Sequence, residues 1–104
     1  MLKNPTGGAE MVKMIFMFEV IDAKQNDYLK ITRERIKPFW ESHGCEAYTL
    51  WQVPEEPARF VKEMLFKDEA TMQTVMNLDS AQPVKKLFSQ FADNITRKTY
   101  RWIV

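Results

Sequence analysis

The chain has 104 residues, of which 45% are apolar and 12% aromatic, so a single domain with its own hydrophobic core is expected. The 15 basic residues nearly balance the 14 acidic ones, which argues against a nucleic-acid partner or binding to an anionic membrane. One cysteine excludes an internal disulfide framework and fits a reducing compartment.

The first ten residues differ from the rest in composition. They contain Pro5, Gly7 and Gly8, and they lack the apolar run of a signal peptide. We expect residues 1–10 to be a flexible leader and residues 11–104 to form one folded domain. No stretch of the chain approaches the ~20 apolar residues of a membrane span, so we expect a cytoplasmic protein with no membrane partner.

The first element after the leader is a strand. Residues 12–21, VKMIFMFEVI, are too apolar for a strand with one wet face and predict a central strand covered on both faces. Asp22 then offers an N-cap oxygen to the following helix.

A helix is predicted over residues 24–43. Its apolar face repeats at steps of three and four, through Leu29, Thr32, Ile36, Phe39, Trp40 and His43. Pro38 predicts a kink, because it removes a backbone donor and crowds the carbonyl of Glu34. Gly44 supplies a left-handed C-cap.

Two strands are predicted next. Residues 45–53, CEAYTLWQV, and residues 59–67, RFVKEMLFK, flank a turn with two prolines and should pair as a hairpin. On the first of them Tyr48 and Leu50 share one face, and Trp51 lies on the other.

The last third predicts an interrupted helix and a terminal strand. Asp68 is a candidate cap for the first part, and Ser80 for the restart after a break at residues 79–83. The restarted helix is amphipathic as far as Ile95. Residues 96–104, TRKTYRWIV, then read as a strand.

The element order is strand, helix, strand, strand, helix, strand. This order predicts an α+β, ferredoxin-like βαββαβ domain, with a four-stranded antiparallel sheet and two helices on one face. The strands carry apolar side chains on both sides, so the uncovered face needs a cover. A second copy placed sheet against sheet would supply it, and we predict a homodimer.

The chain resembles the dimeric α+β barrel superfamily, and in particular its antibiotic-biosynthesis-monooxygenase-like group. Four segments carry the resemblance over about residues 11–104: MIFMFEV, IKPFWESHGC, AYTLWQV and FKDEATMQTVMNLDSAQPVKKLFSQF. It implies a dimeric barrel whose pockets lie between sheet and helices. It also implies cofactor-independent monooxygenases of polycyclic phenols and quinols, or haem degradation. The chain departs from the common pattern because residues 76–80 contain no histidine.

His43 and Cys45 are the only histidine and the only cysteine, and each has two interpretations. At the end of a helix, the His43 imidazole can satisfy terminal carbonyls, or it can act as a general base or haem ligand. Cys45 is either a small buried side chain or a thiol activated by His43. One histidine and one cysteine are too few for a tetrahedral metal site, so no metal is predicted.

The aromatic residues are the other candidates. Most aromatics at such spacings belong to a core, but tyrosine and tryptophan can also line a pocket for a flat ligand. Asn77 lies at the helix break, where it can hydrogen-bond a ligand or cap a turn. Arg59 lies in a strand, where it can pair with a carboxylate or a ligand anion.

These observations predict a small homodimeric monooxygenase-like protein that binds an aromatic or quinol-like molecule between sheet and helices, with no bound cofactor. Its predicted catalytic residues are His43, Tyr48 and Asn77, and its predicted substrate contacts are Trp40, Trp51, Arg59 and Trp102. The alternative is a non-catalytic ligand-binding or structural dimer of the same fold. Haem binding through His43 is a third option.

Overall fold

The computed structural model describes residues 10–104, so the predicted leader lies almost wholly outside the described residues. The strands are β1 (Val12–Glu19), β2 (Ala47–Val53), β3 (Glu56–Phe66) and β4 (Asp93–Arg101). The helices are α1 (Asp22–Ile31), α2 (Lys37–Ser42), α3 (Glu69–Met76) and α4 (Gln82–Phe91). A π-helical turn, Thr32–Ile36, joins α1 to α2, and a 3-10 turn, Asp79–Ala81, precedes α4. The predicted ferredoxin-like α+β architecture is confirmed.

The four strands form one antiparallel sheet in the order β2-β3-β1-β4. The register places Lys62 of β3 opposite Phe16 of β1, and Phe16 opposite Arg97 of β4. Leu50 of β2 is opposite Lys62 on the other side. Since paired residues share a face, these four side chains form one row across the sheet.

The helices cover one sheet face and build the core against it. Burial alternates along β1, where Phe16 and Phe18 are buried and Met17 is 42% exposed. The predicted coverage of β1 on both faces is therefore absent from the single chain. We call the uncovered side the outer face; it carries Ile15, Met17, Trp51, Val61, Leu65 and Tyr100.

Helix ends follow the predicted signals only in part. Asp68 accepts a hydrogen bond from the Thr71 backbone N–H at 2.7 Å, so this N-cap prediction is confirmed. Asp22 is instead the first residue of α1, and Ile21 occupies the cap position without a side-chain bond. Ser80 lies inside the 3-10 turn, and Ala81 occupies the cap position of α4.

The predicted kink at Pro38 takes the form of the π-helical turn. Proline cannot donate to the carbonyl four residues earlier, and the Lys37 backbone N–H bonds back to Thr32, five residues earlier. At the other end of this helical region Gly44 has φ +117°, so the predicted left-handed position is present.

The last helix ends earlier than predicted. The Ala92 backbone turns extended after α4, and β4 already begins at Asp93. Ile95 therefore belongs to β4, and its side chain is 42% exposed. The spacing of apolar side chains that predicted the helix extends by chance into β4, the strand that pairs with β1.

Candidate active site between the sheet and the helices

A cavity of about 350 Å³ lies between the sheet and helices α3 and α4. We call it the interlayer cavity. Its lining combines aromatic, basic and other side chains. These are Phe16, Trp40 and Phe88; Lys62, Lys85 and Arg97; and Met64, Met76, Asn77, Val84, Ser89 and Ile95. Exposed residues, Ser89 and Arg97 among them, form its rim, so the cavity opens to solvent between α4 and β4.

Lys62 is the unusual residue of this cavity. It occupies a helix-facing position of β3 between Phe60 and Met64, and it is only 3% exposed. Its Nζ lies 3.5 Å from the centroid of the Phe88 ring and 4.3 Å from that of Phe16. It makes no hydrogen bond or ion pair with any residue of the described chain. A buried, unpaired amine is costly and is usually found where it has a task.

Burial lowers the pKa of Lys62 from 10.5 to about 7, because the charged ammonium loses its hydration. Two effects oppose burial. The faces of Phe16 and Phe88 attract a cation, and a Cys45 thiolate would attract one too. Lys62 is thus an amine that can be neutral at a pH where exposed lysines are charged.

The charge of the cavity has one sign. Lys85 and Arg97 join Lys62 on its lining, and none of the lining residues found in the described chain is acidic. The Lys85 amine donates to the backbone carbonyl of Met76, which fixes it on the wall. Such a cavity favours an electron-rich or anionic aromatic ligand over a cationic one.

Three buried hydroxyl groups lie beside this site. Those of Tyr28, Thr32 and Tyr48 have no hydrogen-bond partner among residues 10–104. They are close enough to influence one another's ionisation, although none makes a well-aligned bond. Burial raises the pKa of Tyr28 to about 12 and also raises the pKa of Tyr48, so both phenols stay protonated.

The structure brings three of the predicted site residues to this region. Trp40 and Asn77 line the interlayer cavity. Tyr48 is buried on the helix-facing side, and its ring centroid lies 5.7 Å from the Lys62 Nζ. The structure thereby decides which face of β2 points to the helices.

His43 lies away from the cavity, at the end of α2. Its ring stacks on Phe39 with a centroid separation of 4.0 Å, and its Nδ1 is 2.7 Å from the Phe39 carbonyl oxygen. This is the geometry expected of a histidine that satisfies a terminal carbonyl. The Cys45 thiol is buried and donates to the Ala47 carbonyl, and its burial raises the pKa of that thiol.

The other predicted contacts lie elsewhere on the surface. Trp51 is 59% exposed and lies on the outer face. Arg59 pairs with Glu19 at 3.3 Å and with Glu56 at 3.1 Å. Trp102 lines a groove of about 470 Å³ beside the outer face. Ligand roles for these residues and for His43 stay predictions.

Sequence reasoning missed Lys62, although the signal was present. In RFVKEMLFK, Lys62 takes the place of an apolar residue in the alternating series of Phe60, Met64 and Phe66. A lysine on the buried face of a strand indicates a functional position more strongly than a lysine on the exposed face. Arg97 gave no such signal, because β4 has no buried face.

Two absences concern other classes of site. In residues 10–104, no group of three or more His, Cys, Asp or Glu side chains could hold a metal ion. No helix of the described region is long and apolar enough to cross a membrane.

Comparisons with solved structures identify the fold. A candidate antibiotic biosynthesis monooxygenase from Nitrosomonas europaea superposes with a TM-score of 0.76 and 15% identity, over 96% of each chain. One from Deinococcus radiodurans gives 0.76 and 12%, over 89% of this chain and 93% of that one. The chain has the fold of the antibiotic-biosynthesis-monooxygenase-like proteins.

One solved structure with the same fold belongs to a protein with a stated activity. SnoaB, a cofactor-independent oxygenase from Streptomyces nogalater, superposes with a TM-score of 0.76 and 14% identity, over 88% of this chain and 92% of that one. The low identities make this a likeness of fold, so the chemistry has to be argued from the site. No family model matches the chain, and no curated protein does so.

Proposed function

We propose that this antibiotic-biosynthesis-monooxygenase-like chain binds a phenol or quinol-like aromatic molecule in the interlayer cavity and promotes its reaction with molecular oxygen without a cofactor. The observation that carries the proposal is the buried Lys62 side chain, whose amine lies against the rings of Phe16 and Phe88 and has no hydrogen-bond or ion-pair partner among residues 10–104. An amine that is neutral near pH 7 can accept the proton of a phenol, the step that makes the ring electron-rich enough to reduce oxygen.

The overall reaction balances without an external electron donor. A phenol with a free position opposite its hydroxyl takes up one O₂ and gives a quinone and one water. The substrate is oxidised by four electrons, which reduce both oxygen atoms. One oxygen atom forms the new C=O bond, and the other leaves as water with the displaced ring hydrogen and the phenolic proton.

The lining residues have distinct roles in this proposal. Lys62 takes the phenolic proton, and the resulting ammonium holds the phenolate by charge. Trp40 and Phe88 pack against the ring and keep out water, and Asn77 hydrogen-bonds a substrate oxygen. Tyr48 keeps its own proton and closes the site behind Lys62.

The first test is oxygen consumption by purified protein with a panel of phenols and hydroquinones. Lys62→Met keeps the length of the side chain but removes the amine, and it should lower the rate at least about a hundredfold, the usual contribution of a general base. Lys86→Met is the matched control, because Lys86 is an exposed lysine of α4 that does not line the cavity. Equal rates in Lys62→Met and wild type would overturn the role of Lys62.

A non-catalytic binding protein is the second candidate. It is favoured by the lack of an acidic or histidine side chain on the described cavity wall, which leaves Lys62 without a proton-transfer partner. Trp40 provides the readout, because its fluorescence should change when an aromatic ligand fills the cavity. Binding without oxygen consumption would support this candidate. Haem has less support, since no histidine lines the interlayer cavity.

We also propose that two copies associate through the outer face. Met17 is 42% exposed and Trp51 is 59% exposed on this face, and the groove of Ile15, Leu65 and Trp102 continues the apolar surface. A surface of this kind on a sheet is typical of an interface. The single reduced cysteine fits a cytoplasmic location, which stays part of the proposal.

A further inference from the structure

We propose that the Lys62 amine is also a nucleophile, which forms a reversible imine with small aldehydes or ketones that enter the interlayer cavity. This activity goes beyond the proposed oxygenation, because it needs a carbonyl compound and no oxygen.

Burial of the amine favours its neutral, reactive form, whereas the ring faces of Phe16 and Phe88 favour the ammonium. Phe16 and Phe88 lie against the amine, and apolar lining residues complete much of the wall. The other charged groups on the cavity lining are Lys85 of α4 and Arg97 of β4, both cations. The ionisable groups next to it on the β2 side are the Tyr48 phenol and the Cys45 thiol, and burial raises the pKa of each.

Neighbouring cations and a desolvated pocket are the two features that activate lysine for covalent catalysis. For Lys62 the feature present is desolvation, because burial alone lowers its pKa to about 7.

The cavity also admits a reactant. Its volume of about 350 Å³ is within the range of small-molecule sites, and its rim includes the exposed residues Ser89 and Arg97. The Lys62 stem runs from the centre of the sheet, so its nitrogen lies at the floor of the cavity and not on the outer surface.

Imine formation is a condensation of the amine with the carbonyl compound, and it needs no other reactant. The nitrogen lone pair attacks the carbonyl carbon, a C–N bond forms, and the carbonyl oxygen takes up a proton. A second proton transfer expels that oxygen as water and leaves a C=N bond. Nothing is oxidised or reduced until an added hydride reagent, cyanoborohydride, converts the imine to a stable secondary amine.

The structure predicts which lysine reacts. Because burial lowers the pKa of Lys62 to about 7, a far larger share of its amine is neutral at pH 7 than of an exposed lysine with an ordinary pKa, which is neutral in roughly one molecule in 2,500. Lys86, exposed on α4, serves as the comparison lysine. Even if burial slows entry of the reactant and the lower pKa makes the amine less nucleophilic, we expect Lys62 to be modified at least about tenfold faster than Lys86.

The test uses the full chain, benzaldehyde and cyanoborohydride at pH 7 in the absence of oxygen. Intact-mass spectrometry follows the additions, each equal to the probe mass less one oxygen atom, and peptide mapping should place the fastest lysine addition on Lys62. Modification spread over exposed lysines with Lys62 unmodified would overturn the inference. In urea the preference for Lys62 should disappear, which shows that the fold creates it.

Variants separate this activity from the proposed function. Lys62→Met should lose the fast addition, and Lys86→Met should keep it. If Lys62→Met does not fold, the peptide map of the wild-type protein still decides the question. Addition on Lys62 without any phenol oxygenation would support the imine inference and contradict the oxygenase proposal. Phenol oxygenation without addition on Lys62 would contradict the imine inference and support the oxygenase proposal.

Discussion

The amine of Lys62 lies 3.5 Å from the centroid of the Phe88 ring, in the layer between the sheet and α4. The Phe16 ring lies on another side of the same amine at 4.3 Å. Two opposing effects meet here, because burial disfavours the ammonium and the ring faces favour it. The balance of these effects decides whether Lys62 is a base or a fixed cation at neutral pH.

Lys62→Met should change the pH dependence of stability. Folded Lys62 loses its proton near pH 7, and the unfolded side chain keeps its proton up to about 10.5. Between these values the unfolded state binds more protons, so the wild-type free energy of unfolding rises with pH, by at most about 1.4 kcal/mol per pH unit. Below pH 7 both states are protonated and the contribution is constant. The variant should lack this rise.

The measurement is chemical denaturation from pH 6 to 9. At pH 6 Lys62→Met should be more stable than wild type by about 1–4 kcal/mol, because it buries no unpaired charge. Lys86→Met should follow the wild-type curve. Parallel curves for Lys62→Met and wild type would contradict the lowered pKa of Lys62.

Tyr48→Phe should leave stability unchanged or raise it by up to about 1 kcal/mol, because the deleted hydroxyl is buried and has no partner in the described chain. Tyr100→Phe, at an exposed position of β4, is the control and should have no effect. Urea denaturation measures both. A loss of more than about 1 kcal/mol in Tyr48→Phe would mean that the hydroxyl holds a partner such as a buried water.

Gly44→Ala should destabilise the domain by about 1–3 kcal/mol. The residue has φ +117°, and an added Cβ would lie 2.7 Å from Cγ2 of Val75 on α3. The substitution thus strains the backbone and also pushes α3 away. Glu46→Ala, at an exposed position nearby, provides the comparison. If thermal unfolding of Gly44→Ala matches that of Glu46→Ala, the close approach of Gly44 to α3 is wrong.

Met17→Glu should convert a dimer into monomers. Met17 is exposed at the centre of the outer face in the single chain, so a charge there leaves the fold intact but is costly once a second copy covers it. Native mass spectrometry measures the outcome, with Lys86→Glu as the control on the helix side. A Met17→Glu protein that remains as dimeric as wild type would exclude this face as the interface.

The sequence was sufficient for the architecture because strand and helix periods are local. Asp68 and Gly44 marked a helix start and a helix end correctly, since each acts on its own backbone. The candidate site was predicted less well. Trp40 and Asn77 reach the cavity, but the environment of Lys62 is made by residues from β1 and α4 that meet it only in the fold.

His43 illustrates the same limit of sequence reasoning, because it was predicted as a site residue but lies away from the cavity. Its rarity and its imidazole chemistry drew attention in the sequence, yet its ring is used locally, against Phe39 one turn earlier. Spacing within one helix predicts that contact. Spacing does not predict which distant strand lies across the cavity. It therefore could not show whether His43 or Lys62 is the stronger candidate for a site residue.

The most direct measurement is an NMR titration of the Lys62 side chain, following its Cε carbon with and without a bound phenol. The account predicts a titration midpoint well below the ordinary 10.5 and displaced towards 7, and a further change when the phenol gives up its proton to the amine. A midpoint near 10.5 that no phenol alters would contradict the claim that Lys62 is the base of this cavity.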